Sequence, residues 1–184
     1  MKSMGINFES DSKVDVHARY LKDYEMKNSI AFPFQQGDLD WLCSIYATIN
    51  LSCLRGDIVG VEAAGETFNE LSTYVSKSGD LYQTITAGVR RGDVTSFLRE
   101  RGYKAKKFSK PSQELIREHS RNGAIIYLRN AEGFDHYTVI RTAAGSTGIE
   151  LYDSYRFSEI SCRDGVWFLD GEEFEVPNLY AVIE

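Results

Sequence analysis

Residues 135–154, "DHYTVIRTAAGSTGIELYDS", decide the fold class of this chain. Two runs rich in β-branched and aromatic residues, 135–142 and 148–154, stand on either side of a small-residue loop. Such runs around a Gly-containing loop are typical of an antiparallel hairpin. Similar short runs occur at 103–108, 124–130, 165–170 and 179–184. The second half of the chain therefore predicts an antiparallel sheet.

The first half has helical periodicity instead. Apolar residues recur every three or four positions in several segments, bounded by Gly, Pro or Asp. These segments are 11–28, 41–54, 60–77, 93–103 and 111–123, while 78–93 is predicted to be a loop or broken helix. Helices followed by an antiparallel sheet predict an α+β fold. The 184 residues suit a single domain over 1–184, with 1–30 as an N-terminal helical extension.

Charge and composition exclude several function classes. The chain has 21 basic and 27 acidic residues, a net charge of −6, which argues against a nucleic-acid-binding surface. We expect no membrane span, because no segment approaches the required apolar length. The cysteines at 43, 53 and 162 form neither an even set nor a metal-ligand spacing. Free thiols in a reducing cytoplasm are therefore expected.

Cys43 lies in "QQGDLDWLCSIYATINL", residues 35–51, where an acidic loop becomes an apolar helix. If Asp40 caps this helix, Cys43 occupies the third helical position. Unpaired backbone N–H groups and the helix dipole favour a thiolate there. Asp38 and Asp40 oppose that charge, so a nucleophile would need a histidine partner. Without a partner, a buried core thiol is the better interpretation.

His136 is the strongest partner among the three histidines. His17 and His119 lie on predicted helices, whereas His136 lies in a predicted strand where a polar ring is unusual. Folding the hairpin about Gly145 places His136 opposite Asp153 or Ser154. Cross-strand neighbours are about 5 Å apart at Cβ, so a carboxylate could orient the imidazole. A satisfied sheet histidine is the alternative.

A glutamine upstream of the cysteine could complete an oxyanion hole. The backbone N–H of a cysteine at a helix start supplies one donor, and a side-chain amide supplies the second. Gln36 is the first choice and Gln35 the reserve. A polar turn is the alternative for this dipeptide.

Gln, Cys, His and Asp in this chain order resemble the papain-like cysteine peptidase superfamily, most closely its double-glycine-leader (bacteriocin-processing) branch. The resemblance covers roughly residues 30–184. It implies a papain-like fold, with a helical first half that carries the nucleophile at a helix N-terminus, packed on an antiparallel sheet. It also implies that Cys43 is the nucleophile, His136 the general base and acid, Asp153 the orienting carboxylate and Gln36 the oxyanion donor.

We therefore predict a cytoplasmic cysteine peptidase that acts on a peptide or protein substrate. No cofactor, metal, nucleic acid or membrane is expected, and the oligomeric state is left open. An acyltransferase, transglutaminase or deamidase could use the same triad, because they share the acyl-enzyme step. A binding module that retains the fold without activity is the third possibility.

Overall fold

The computed structural model describes residues 33–36, 42–79, 81–88, 93–142 and 148–183. All of them belong to one compact unit, Phe32–Glu184. The helix predicted over 11–28 lies outside the described residues. No helix within the described ranges has the length and apolar character needed to cross a bilayer.

The helices predicted over 41–54, 60–77, 93–103 and 111–123 are confirmed, with small changes at their ends. A further short helix forms inside the segment predicted to be a loop or broken helix. The described helices are α1 (Cys43–Leu54), α2 (Gly60–Ser78), α3 (Leu81–Ala87), α4 (Asp93–Glu100) and α5 (Gln113–Ser120). Ser112 caps α5, accepting a hydrogen bond at its side-chain oxygen from the Leu115 N–H.

The described residues of the second half form seven antiparallel strands. They are β1 (Ala105–Ser109), β2 (Ala124–Arg129), β3 (Asp135–Thr142), β4 (Gly148–Tyr152), β5 (Glu159–Arg163), β6 (Val166–Leu169) and β7 (Glu172–Val182). Their order in the sheet is β1-β7-β2-β3-β4-β5-β6, and β6 also pairs with β7. This last pairing closes β2 to β7 into a six-stranded barrel, with β1 as an extra strand on β7.

The prediction of a papain-like fold is therefore wrong, because the sheet is a closed barrel. Closure depends on two tight hairpins that the sequence analysis missed, together with β5 and the first half of β7. Asp164 and Gly165 join β5 to β6, and Asp170 and Gly171 join β6 to β7. All four residues have positive φ, as a type I′ turn requires. Asp-Gly between alternating residues is a strong hairpin signal and could have revealed both turns.

β7 closes the barrel because it changes partner along its length. Its first residues pair with β6, and its last five pair with β1 on the same edge. The change coincides with a register shift against β2 and with Pro177, which has no N–H to donate to a ladder. Alternate residues of all six barrel strands form one buried inner cluster, which includes Ile140, Ile149 and Leu151.

α1 packs on the outer face of this barrel and is buried on almost every side. Cys43, Ala47 and Leu51 face the sheet, and Ile45 and Ile49 face the other helices. Two of its buried hydroxyls, those of Thr48 and Ser52, are satisfied within the helix, since each donates to the carbonyl four residues earlier. The Ser44 hydroxyl is also buried but has no hydrogen-bond partner among the described residues.

The residue that precedes β2 lies very close to α1. Gly123, with φ of +74°, stands just before β2, and an added Cβ there would lie 2.6 Å from Leu51 Cδ1. Only glycine suits this position, because a side chain would meet both backbone strain and a steric clash.

Candidate functional site

Cys43 is the first residue of α1 and only 7% exposed. The expectation that it occupies the third helical position is wrong. The N-cap is Leu42, which provides no side-chain hydrogen bond, and its carbonyl already accepts the N–H groups of Ile45 and Tyr46. Leu42 is buried among helix residues, and this packing defines the start of α1. Asp38 and Asp40 lie outside the described residues.

His136 and Asp153 meet directly in the structure. The distance from His136 Nε2 to Asp153 Oδ1 is 2.6 Å, and both side chains are fully buried. The predicted hairpin register is wrong, since Val139 pairs with Tyr152 and the β4 ladder ends there. The contact is diagonal. Asp153 continues the inward alternation of β4 just beyond its end, and His136 is the second residue of β3 on the same face.

Asp153 is held by the turn that follows β4. Its second oxygen, Oδ2, accepts hydrogen bonds from the backbone N–H groups of Tyr155 at 2.7 Å and Phe157 at 3.2 Å. The carboxylate thus receives two backbone bonds on one oxygen and the imidazole on the other. Backbone N–H donors stabilise the ionised form and fix its orientation. Asp153 therefore presents a rigid acceptor to His136.

Cys43 lies near His136, but the second ring nitrogen, Nδ1, has no hydrogen-bond partner among the described residues. Burial by itself lowers the pKa of His136, but the hydrogen bond to Asp153, the nearby Cys43 side chain and the charges of both outweigh it. The pKa rises from 6.5 to about 9. Contacts of this kind between sulfur and imidazole are often long in a resting site and shorten during reaction.

Three aromatic rings surround the imidazole. Tyr155 packs edge-on at 4.9 Å between ring centroids, Phe157 lies at 5.9 Å and Phe134 at 6.0 Å. These rings keep water from the His136–Asp153 pair and restrict the tilt of the imidazole. None of the three rings was predicted from the sequence to belong to the site, although Tyr155 and Phe157 are part of the turn next to Asp153.

The two glutamines occupy different environments. Gln35 is exposed; its Oε1 accepts from Arg156 Nε at 3.2 Å, and its Nε2 donates to the Pro33 carbonyl at 3.0 Å and to the Asp153 carbonyl at 3.5 Å. Gln36 is 8% exposed, and its backbone N–H donates to the Ser154 carbonyl, one residue after Asp153, at 3.2 Å. Both glutamines therefore contact the residues that follow β4, and Gln36 is the buried one of the two.

Asn50 connects the segment before Gln36 to α1, the helix that begins at Cys43. This residue was not predicted from the sequence. Asn50 lies two turns after Cys43 on α1 and is completely buried. Its Oδ1 accepts the Phe34 N–H at 2.7 Å, and its Nδ2 donates to the Phe34 carbonyl at 3.2 Å. The residues before Gln36 are thus held by α1, and Gln36 itself by the turn after β4. A buried Asn inside an apolar helix is the signal that could have found it.

A group of tyrosines shares the buried cluster that contains Cys43. Tyr137 packs against Tyr127 at 4.8 Å and Tyr180 at 6.0 Å between ring centroids. Burial, followed by Tyr180, Cys43 and Tyr127, raises the pKa of Tyr137 well above its usual range. The Tyr137 hydroxyl therefore stays protonated and neutral.

Within the described ranges, no group of three or more His, Cys, Asp or Glu residues is placed to hold a metal ion.

No protein-family model matches the chain, and no curated protein is significantly similar to it. The chemistry of the site is accordingly inferred from its own geometry.

Proposed function

We propose that this protein is a cysteine hydrolase that cleaves peptide bonds, with Cys43 as nucleophile and His136 as general base and acid. The observation that supports it most is the buried His136, held at 2.6 Å by Asp153 on one nitrogen and next to Cys43 on the other side. A nucleophile, a base and a group that orients the base are the three parts of a thiol hydrolase.

The proposed reaction proceeds through a thioester. His136 Nδ1 takes the Cys43 proton, and the sulfur attacks the substrate carbonyl carbon. The oxyanion is stabilised by the Cys43 backbone N–H and the Gln36 side chain. His136 then gives the proton to the leaving amine as the C–N bond breaks. Water attacks the thioester, His136 takes its proton, and the acid and the free thiol are released.

The electrostatics support this assignment. With a pKa of about 9, His136 holds a proton at neutral pH. In the proposal, this proton is the one that Cys43 gives up before its sulfur attacks the substrate. Asp153 is a positioning residue, because it stabilises the imidazolium and fixes the ring without touching substrate.

The resemblance to papain-like peptidases supports the residue roles but not the fold. Gln36, Cys43, His136 and Asp153 follow the chain order of that superfamily, and membership stays a prediction from the motifs. The proposed substrate is a peptide or protein. A thiol nucleophile works only while reduced, and Cys43, Cys53 and Cys162 are all free, so we place the protein in the cytoplasm.

Labelling with a peptide that carries a thiol-reactive electrophile tests the proposal. We expect modification of Cys43, complete loss in Cys43→Ala, and no loss in the matched variants Cys53→Ala and Cys162→Ala. His136→Ala should slow labelling at least about 100-fold, the usual contribution of a general base. Circular dichroism and urea unfolding establish that each variant is folded. Labelling that persists in Cys43→Ala would sink the proposal, and a chain that never labels would favour a binding module.

A further inference from the structure

An open cleft lies beside Phe134, one of the rings that pack on His136. It has a volume of about 590 Å³ and is formed by the end of β2, the residues between β2 and β3, and the first half of β7. Ligand sites usually occupy roughly 300–1,000 Å³, so this cleft could hold one or two residues of a peptide.

Two of its walls belong to the Cys43–His136 neighbourhood. Phe134 lines the cleft and also packs on the His136 ring. Tyr127 lines it too and belongs to the buried cluster that contains Cys43. Cys43 and His136 do not line the cleft themselves, so Phe134 and Tyr127 are the residues that connect it to the candidate site.

The charge of the cleft is negative. Its lining contains three carboxylates and one guanidinium, and the guanidinium of Arg129 is already paired with Glu175 at 2.6 Å. Asp135 and Glu173 have no cation of the cleft lining to balance them. Asp135 is oriented by the Tyr127 hydroxyl, which donates to its Oδ2 at 2.9 Å.

The lining also contains three aromatic rings. Phe134 is half-buried, whereas Phe174 and Tyr127 are only 6% and 1% exposed, and the Phe134 and Phe174 rings meet edge to face at 5.9 Å. An aliphatic stem can pack on the Phe134 ring while its charged end reaches a carboxylate, and a guanidinium can also stack on that ring.

We propose that this cleft is a specificity subsite that binds a basic side chain, arginine or lysine, of the peptide substrate. The inference rests on the proposed function in so far as the bound peptide is called a substrate. Binding of a basic peptide in the cleft does not itself require catalysis. Arg129 is paired with Glu175, so Asp135 and Glu173 select the charge, and the half-buried Phe134 ring packs on the stem.

Equilibrium binding in the Cys43→Ala variant tests the subsite separately from the reaction. Two blocked tripeptides, one with arginine and one with citrulline at the centre, differ in charge and hardly in shape. By calorimetry we expect the arginine peptide to bind about fivefold more tightly for each carboxylate engaged, and this preference should shrink with added salt.

Glu173→Gln should remove much of the preference for arginine, while the matched control Glu172→Gln should keep it. Both positions are exposed, so neither variant endangers the fold, and only Glu173 lines the cleft. Equal binding of the two peptides, no binding up to the limit of solubility, or equal losses in both variants would overturn the subsite. Arginine-selective binding by a chain that never labels at Cys43 would instead refute the hydrolase and leave the subsite standing.

Discussion

Replacing Asp153 with Asn should make the stability of the protein respond differently to pH. In the wild type, Asp153 Oδ1 and His136 Nε2 are 2.6 Å apart and hidden from water. Burial alone favours a neutral imidazole, and the hydrogen bonds and charges of Asp153 and Cys43 reverse this, which raises the pKa of His136 to about 9. Asn keeps the shape of the side chain and removes its charge.

The size of the effect follows from the pKa. A rise from 6.5 to about 9 corresponds to about 3 kcal/mol, at 1.36 kcal/mol for each unit. The folded-state pKa lies above the unfolded one, so this stabilisation is complete below about pH 6.5 and is lost as the pH rises through about 9. The free-energy gap between wild type and Asp153→Asn should therefore narrow by up to about 3 kcal/mol across that range.

Urea unfolding followed by tryptophan fluorescence measures this gap at a series of pH values. Part of the stability lost in Asp153→Asn is independent of pH, because Asp153 Oδ2 also accepts hydrogen bonds from the N–H groups of Tyr155 and Phe157. Asp164→Asn is the matched control. Asp164 is exposed and has a φ of 51°, which Asn tolerates. The difference in unfolding free energy between wild type and Asp164→Asn should therefore stay near zero at every pH. The result that would refute the reasoning is a gap for Asp153→Asn that does not change with pH.

Three further predictions concern the surroundings of the site. Asn50→Ala should cost about 1–3 kcal/mol of unfolding free energy, since it leaves buried backbone groups unpaired, and should slow the labelling of Cys43. Gly123→Ala should destabilise the protein more than Gly56→Ala, because both have positive φ but only the first added Cβ meets a neighbour. Cys53 should resist iodoacetamide at neutral pH, as burial raises its pKa to about 11, and react faster as the pH approaches that value.

Each of these predictions has its own control. Asn69→Ala, on the exposed face of α2, should change neither stability nor labelling, and equal effects at both asparagines would contradict the role of Asn50. Equal losses for Gly123→Ala and Gly56→Ala would mean that backbone strain alone matters there. Mass spectrometry of the alkylated protein identifies the modified cysteine, and rapid neutral-pH modification of Cys53 would contradict the third prediction.

The site could be predicted in part because its residues carry local signals. A cysteine after a glutamine-containing turn, and a histidine and an aspartate on neighbouring predicted strands, are visible without coordinates. The proximity of His136 and Asp153 was expected, yet the register that suggested it was wrong. His136 and Asp153 still meet, because long side chains on one face of a sheet reach diagonal neighbours as well as directly opposite ones.

The sequence by itself determined where helices and most strands lie, since the repeat of apolar residues is a local property of the chain. The helical Cys43 segment and the 135–154 hairpin are of this kind. Only the tertiary structure decided that β6 pairs with β7 to close a barrel, that Asn50 holds the segment before Gln36, and that a cleft opens beside Phe134. These features depend on hydrogen bonds and packing between residues distant in the chain, and a local apolar pattern carries no information about which partner a strand edge or a buried amide will find.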